Sequence, residues 1–129
     1  MPFKTASEAK PIGAVVVDEY NAEFNREPIT IVAGSGVLKT GHVLGMITAS
    51  GKYEPSPATG SSGSQVASAI LVDPVDATST DQVAMAIVNG PAIVDPSELT
   101  YATSVNNDSL KAAKLVQLKA VNIKSKKGA

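Results

Sequence analysis

The chain has 129 residues, enough for one domain with at most an appendage, and 43% of them are hydrophobic, which excludes a disordered protein. Net charge is −1 and no stretch nears the roughly 20 apolar residues of a membrane span, so neither nucleic acid nor membrane is expected as a partner. There is no Cys, which excludes disulfides and thiolate metal sites, and aromatics are only 4%, so the core must be aliphatic and would gain from oligomerisation.

Met1–Lys10 is polar and mixed, and Pro11–Val17 is a β-branched run too short for a signal peptide, with acids directly after it. A soluble protein made in the cytoplasm is expected. Asp18–Pro28 is acidic and poor in core-formers, so residues 1–28 predict an extended N-terminal arm and residues 29–129 the body.

Ile29–Pro55 reads as a β-meander. Ile29 and Ile31 share one strand face, Val43–Thr48 forms a second run, and Lys52–Glu54 returns. Glycines at 34, 36, 41, 45 and 51 suit β corners, through positive φ or close backbone approach. Pro55–Ser64 is a Pro/Gly/Ser loop, and no Lys follows it as a phosphate loop requires. Val66–Val72 predicts a buried strand ended by Asp73-Pro74, and Val75–Gln82 predicts a polar turn region. Val83–Val88 alternates, with Val83, Met85 and Ile87 on one face and Ala84 and Ala86 against a close layer on the other. Asn89-Gly90 signals a turn, and Pro91–Val94 resumes extended structure.

Asp95-Pro96-Ser97-Glu98 carries helix-start chemistry but predicts only a turn or so, because Thr100, Tyr101 and Thr103 form helices poorly. Asn107 or Asp108 should cap a helix over about Ser109–Lys119, with Ala112, Val116 and Ala120 aligned on one side and Ala113 beside them. Leu118 then falls among Lys111, Lys114 and Lys119 on the polar side. Val121 and Ile123 predict a short last strand before a solvated tail. The fold class expected is α+β, mainly β: a small barrel-like or meander body, one C-terminal helix and the arm.

Catalytic chemistry finds little purchase. His42 is the single histidine and reads as a surface or turn residue. Asp73, Asp76 and Asp81 lack the spacing of a calcium loop and read as turn residues. No G-x-S-x-G elbow occurs. From Ser109 onward there are six lysines and no acid, read as charges that complement a helix end and solubilise a tail. No cofactor, metal or small-molecule substrate is expected, and an enzyme would need a polar constellation around His42.

The order AGSGVLKTGHVLGMITASGKYEP, QVASAILVDPVDAT, VAMAIVNGPAIVDPSELTY and a closing Ala/Lys/Leu helix resembles the lambda-type bacteriophage head decoration protein D family over about residues 19–123. Leu38, Gly41, Val43, Leu44 and Gly45, with Gly51-Lys52-Tyr53, carry one block; Ala69, Ile70, Leu71, Asp73 and Val75–Thr78 carry another. The Val-rich N-terminal segment and the lysine-rich tail depart from the family pattern.

The resemblance implies a non-enzymatic virion protein, a homotrimer on the outer surface of the expanded head at three-fold and quasi-three-fold positions. It implies the major capsid protein as partner, N-terminal arms lying against it, and a shell cemented against DNA pressure. On that reading Ile12, Val15, Val17, Tyr20 and Phe24, large apolar groups outside the apparent core, are the expected arm anchors. The alternative is a stand-alone β-domain that binds peptide or carbohydrate, for which the low aromatic content is unfavourable.

Overall fold

The computed structural model describes residues 15–19 and 22–126. Five strands close a barrel in the order β2-β5-β4-β6-β8: β2 (Arg26–Ile31), β4 (Val43–Met46), β5 (Tyr53–Pro55), β6 (Ala67–Leu71) and β8 (Gln82–Ile87). All neighbours are antiparallel except β2 and β5, which close the barrel through the parallel pairing of Ile31 with Tyr53. Closure removes the exposed edges of an open sheet. A two-stranded ribbon, β3 (Gly36–Leu38) with β7 (Val75–Ala77), adjoins the barrel. A second sheet has the order β1 (Val16–Glu19), β9 (Ala92–Val94), β10 (Ile123–Ser125). Among the described residues two helices complete the body, a single turn α1 (Ala22–Asn25) and the long α2 (Asp108–Lys119).

The barrel wall is apolar on both faces because it separates two cores. Ile29, Ile31, Leu44, Leu71, Ala84 and Ala86 fill the interior. Val43, Ile70 and Ile87 point outward and meet Val94, Leu118 and Ile123 from the second sheet and α2. A strand buried on both sides reads as a continuous apolar run, which is what Ala69–Val72 is. Gly45 sits where the β4–β6 register shifts, and a Cβ there would collide with the Ser64 carbonyl oxygen. Gly41 combines φ +93° with close packing on the Val15 side chain, so its glycine is required twice over.

Local capping chemistry is as expected. Asn107 accepts a hydrogen bond from the Leu110 amide at 2.9 Å and opens α2. Asp95 accepts from the Ser97 amide at 3.0 Å, and the turn it caps is the short 3₁₀ segment Pro96–Glu98.

Five expectations need correction. Val16–Glu19 and Arg26–Pro28, expected within the arm, are tied into the body, because β1 pairs with β9 and Arg26–Pro28 pairs with Ile87–Met85 of β8. Val75–Ala77 is a strand rather than a turn, held by β3 across Gly36–Leu38. On β8 both faces are packed, Ala84 and Ala86 lining the narrow barrel and Ile87 buried in the second core, but Val83 does not share that burial and is 70% exposed. On α2 the packed stripe is Leu110, Lys114 and Leu118, and Ala112, Ala113, Val116 and Ala120 face outward. His42 is buried rather than on the surface.

Candidate interaction surface

Three of the five expected anchors fall among the described residues. Ile12 and Tyr20 lie outside the described residues. Val15 is fully buried in the second core, its carbonyl accepting from the Asp95 amide at 2.8 Å, so it belongs to the body and not to a contact surface. Val17 and Phe24 are presented outward, at 38% and 64% exposure. Val17 falls at a register irregularity between Val16 and Asp18, where the strand loses its regular pairing.

The region carrying Val17 and Phe24 is rigidly built. Arg26, at the start of β2, donates through Nε to Glu19 Oε2 at 3.0 Å and through Nη2 to Glu19 Oε1 at 2.7 Å. This fork ties the end of β1 to β2. The Glu19 hydrogen bonds raise the Arg26 pKa further above its ordinary value. Asn25 is fully buried and donates through Nδ2 to the Pro91 carbonyl at 3.0 Å, anchoring α1 to the strand beyond the cis Gly90–Pro91 bond. Beside it lies an open cleft of about 520 Å³, lined by Asp18, Glu19, Pro91, Ala92, Ile93 and Lys124. Its rim carries both signs of charge, so it selects no single ionic partner.

Two buried polar groups escape sequence reasoning. Lys114 is 2% exposed and donates through Nζ to Ser56 Oγ at 2.9 Å, to the Pro57 carbonyl at 2.6 Å and to the Gln65 carbonyl at 2.6 Å. All three ammonium protons are used, on neutral oxygens, and burial pushes the Lys114 pKa down. Ser56 Oγ in turn donates to the Ser64 carbonyl at 2.7 Å, and Ser64 Oγ to Glu54 at 2.5 Å. The available signal is the stripe Leu110, Lys114, Leu118, a lysine between two leucines at four-residue spacing.

The second group is His42, 8% exposed, with neither ring nitrogen hydrogen-bonded. Its backbone is fully engaged around the start of β4: it bridges to Thr100, and its carbonyl accepts from the Leu71 amide at 3.0 Å. Burial, reinforced by Lys39, lowers its pKa to about 4, so the ring is neutral at pH 7. Among the described residues no three His, Asp or Glu side chains are placed to hold a metal ion, and no helix is long and apolar enough to cross a membrane.

A closed barrel double-packed against a helix and a second sheet, with buried Lys114 holding the 56–65 loop, defines a β-rich module. The family model of the bacteriophage lambda head decoration protein D matches residues 5–123. The chain belongs to that family, a family of structural phage-head proteins that associate with the capsid. No curated protein matches the chain individually.

Proposed function

We propose that this protein works as a homotrimer on the outer surface of the expanded capsid, at three-fold and quasi-three-fold positions, bridging neighbouring capsomers and stabilising the shell against DNA pressure. Its partner is the major capsid protein, its role is structural and non-enzymatic, and it is made in the cytoplasm of the host before joining the virion. The observation that carries this reading is the family match over residues 5–123, nearly the whole chain.

The capsid-facing surface on this reading combines Val17 and Phe24, displayed by folded elements, with Ile12 and Tyr20. Val15 is excluded by its burial in the core. The test is binding of purified protein to expanded heads that lack it. Wild type should saturate the heads and raise their resistance to heat or chelator. Deleting residues 2–14 retains Val15 and β1, whereas a deletion through Tyr20 would remove Val15 and unpair β9. Undiminished occupancy by the 2–14 deletion, together with Phe24→Ala, would overturn the anchor assignment. Failure of the wild type to bind any head form would overturn the decoration role.

A further inference from the structure

The barrel closes on itself, but the sheet β1-β9-β10 does not. Among the described residues its two outer strands pair on one side only, β1 with β9 antiparallel and β10 with β9 parallel. An open edge presents backbone donors and acceptors to any strand that approaches it. On β10 the Asn122 carbonyl accepts from the Ala92 amide at 3.2 Å, and the Lys126 amide donates to the Val94 carbonyl at 2.9 Å. Strand alternation therefore turns the backbone groups of Ile123 and Ser125 to the outer side.

The two edges carry opposite charge. On β1, Glu19 is already tied to Arg26, which leaves Asp18 as the exposed charge of that edge. On β10 and directly after it stand Lys124 and Lys126, both exposed. Among the described residues none of Asp18, Lys124 and Lys126 has an ion-pair partner within the chain. Asp18 and Lys124 both register on Ile93, one from each side, and all three line the open cleft.

Lysines on an edge strand ordinarily keep other strands away. That protection works against an edge of the same sign and fails against an acidic one. A β1 edge meeting another β1 sets Asp18 near Asp18, and two β10 edges set lysine against lysine. Only β10 of one copy against β1 of the next brings opposite signs together across the strands. The directions agree as well. Within one sheet β1 and β10 run opposite to each other, so their meeting between copies continues the sheet as an antiparallel pair. A contact between two different patches of identical chains is head-to-tail, and it forms a ring when the rotation closes.

We propose that β10 of one copy docks edge to edge on β1 of the next, with Lys124 and Lys126 facing Asp18, and that this contact repeated round a ring builds the homo-oligomer. This rests on the trimer reading above and adds which surfaces meet.

The test reverses the charges in the full chain. Asp18→Lys, and separately Lys124→Glu with Lys126→Glu, should each weaken self-association about tenfold or more in sedimentation equilibrium at low salt. All three substitutions together exchange the signs of the two edges and should restore association. Connectivity is read with cysteine, which the chain lacks. Val17→Cys combined with Ser125→Cys should give covalent oligomers with a short flexible bis-maleimide, while each single variant stays uncoupled. Circular dichroism checks that every variant is folded. If a charge variant does not fold, the cysteine variants decide.

Four results would overturn the proposal: wild-type association in both charge-reversed variants, no recovery in the triple variant, covalent dimers from either single cysteine variant, or a wild type that is monomeric at every concentration. Head binding is scored separately. Loss of head occupancy with unchanged oligomeric state would assign the edges to the capsid and overturn the self-contact. A wild type that self-associates through these edges but binds no head would remove the decoration role and leave the edge proposal standing.

Discussion

His42 gives the protein an acid weakness with a calculable size. The ring is buried with both nitrogens unpartnered, and its pKa falls from 6.5 to about 4 on folding. Between those two values the unfolded chain binds a proton that the folded chain refuses, so stability falls as pH drops through that window. Above pH 6.5 both states are neutral and the effect vanishes. Below about 4 both are charged and the loss is complete. The span of that window, at about 1.4 kcal/mol per pH unit, gives a loss of about 3 kcal/mol. The comparison variant is His42→Leu, which removes the titrating group from a buried site where the ring makes no hydrogen bond. At pH 7 its stability should lie within about 1 kcal/mol of wild type, because no partner is left unsatisfied. At pH 4 it should exceed wild type by about 3 kcal/mol. The assay is urea unfolding at fixed chain concentration across pH 4 to 8, since any self-association would make apparent stability concentration-dependent. Parallel pH curves for the two proteins would show that His42 is charged or hydrated in the folded state, and the reasoning from its burial would fail.

Other perturbations separate packing from contact. Leu118→Ala opens a cavity in the second core and should cost about 2–5 kcal/mol in denaturant unfolding. Gly45→Ala drives a methyl group into the Ser64 carbonyl and should cost about 3 kcal/mol, or shift the loop enough to perturb its amide spectra. Asn107→Ala removes the α2 cap and should cost about 1 kcal/mol, with faster hydrogen exchange confined to the first helical turn. Phe24→Ala should change stability by less than about 0.5 kcal/mol, given its exposure, while lowering occupancy on expanded heads.

What the sequence shows best is chemistry acting over a few residues. The caps at Asp95 and Asn107, the β corners at Gly34, Gly36 and Gly51, and the doubly buried run ending at Asp73-Pro74 follow from local rules. What it hides depends on distant partners. Val75-Asp76-Ala77 sits between Pro74 and a run of Thr and Ser, so it reads as a turn until Gly36–Leu38 supplies the other strand. Val15 reads as part of an arm until β9 and Gly41 close around it. The face of α2 is misread for a different reason. Hydrophobic period selects Ala112, Val116 and Ala120, but three small side chains bury little area. Lys114 turns inward instead and places its ammonium on the loop carbonyls of Pro57 and Gln65.

Moving the boundary of the body from residue 29 back to Val15 changes the energetics of the proposed contact. An arm that reaches its partner unfolded gives up roughly 1–2 kcal/mol of backbone entropy per residue ordered. Val17 and Phe24 avoid that loss, because β1, α1 and the Arg26–Glu19 fork already hold them in place. They act as fixed points of a rigid surface, which favours contact through modest apolar area. A chain with 4% aromatics has few strong anchors available per copy. Joining three copies multiplies such weak contacts by roughly 10²–10⁴ when all engage together. That gain exists only if the copies are held in a fixed mutual geometry. On the proposed trimer, a variant that loosens the contact between copies should therefore weaken head binding even though the proposed capsid-facing residues Val17 and Phe24 are intact.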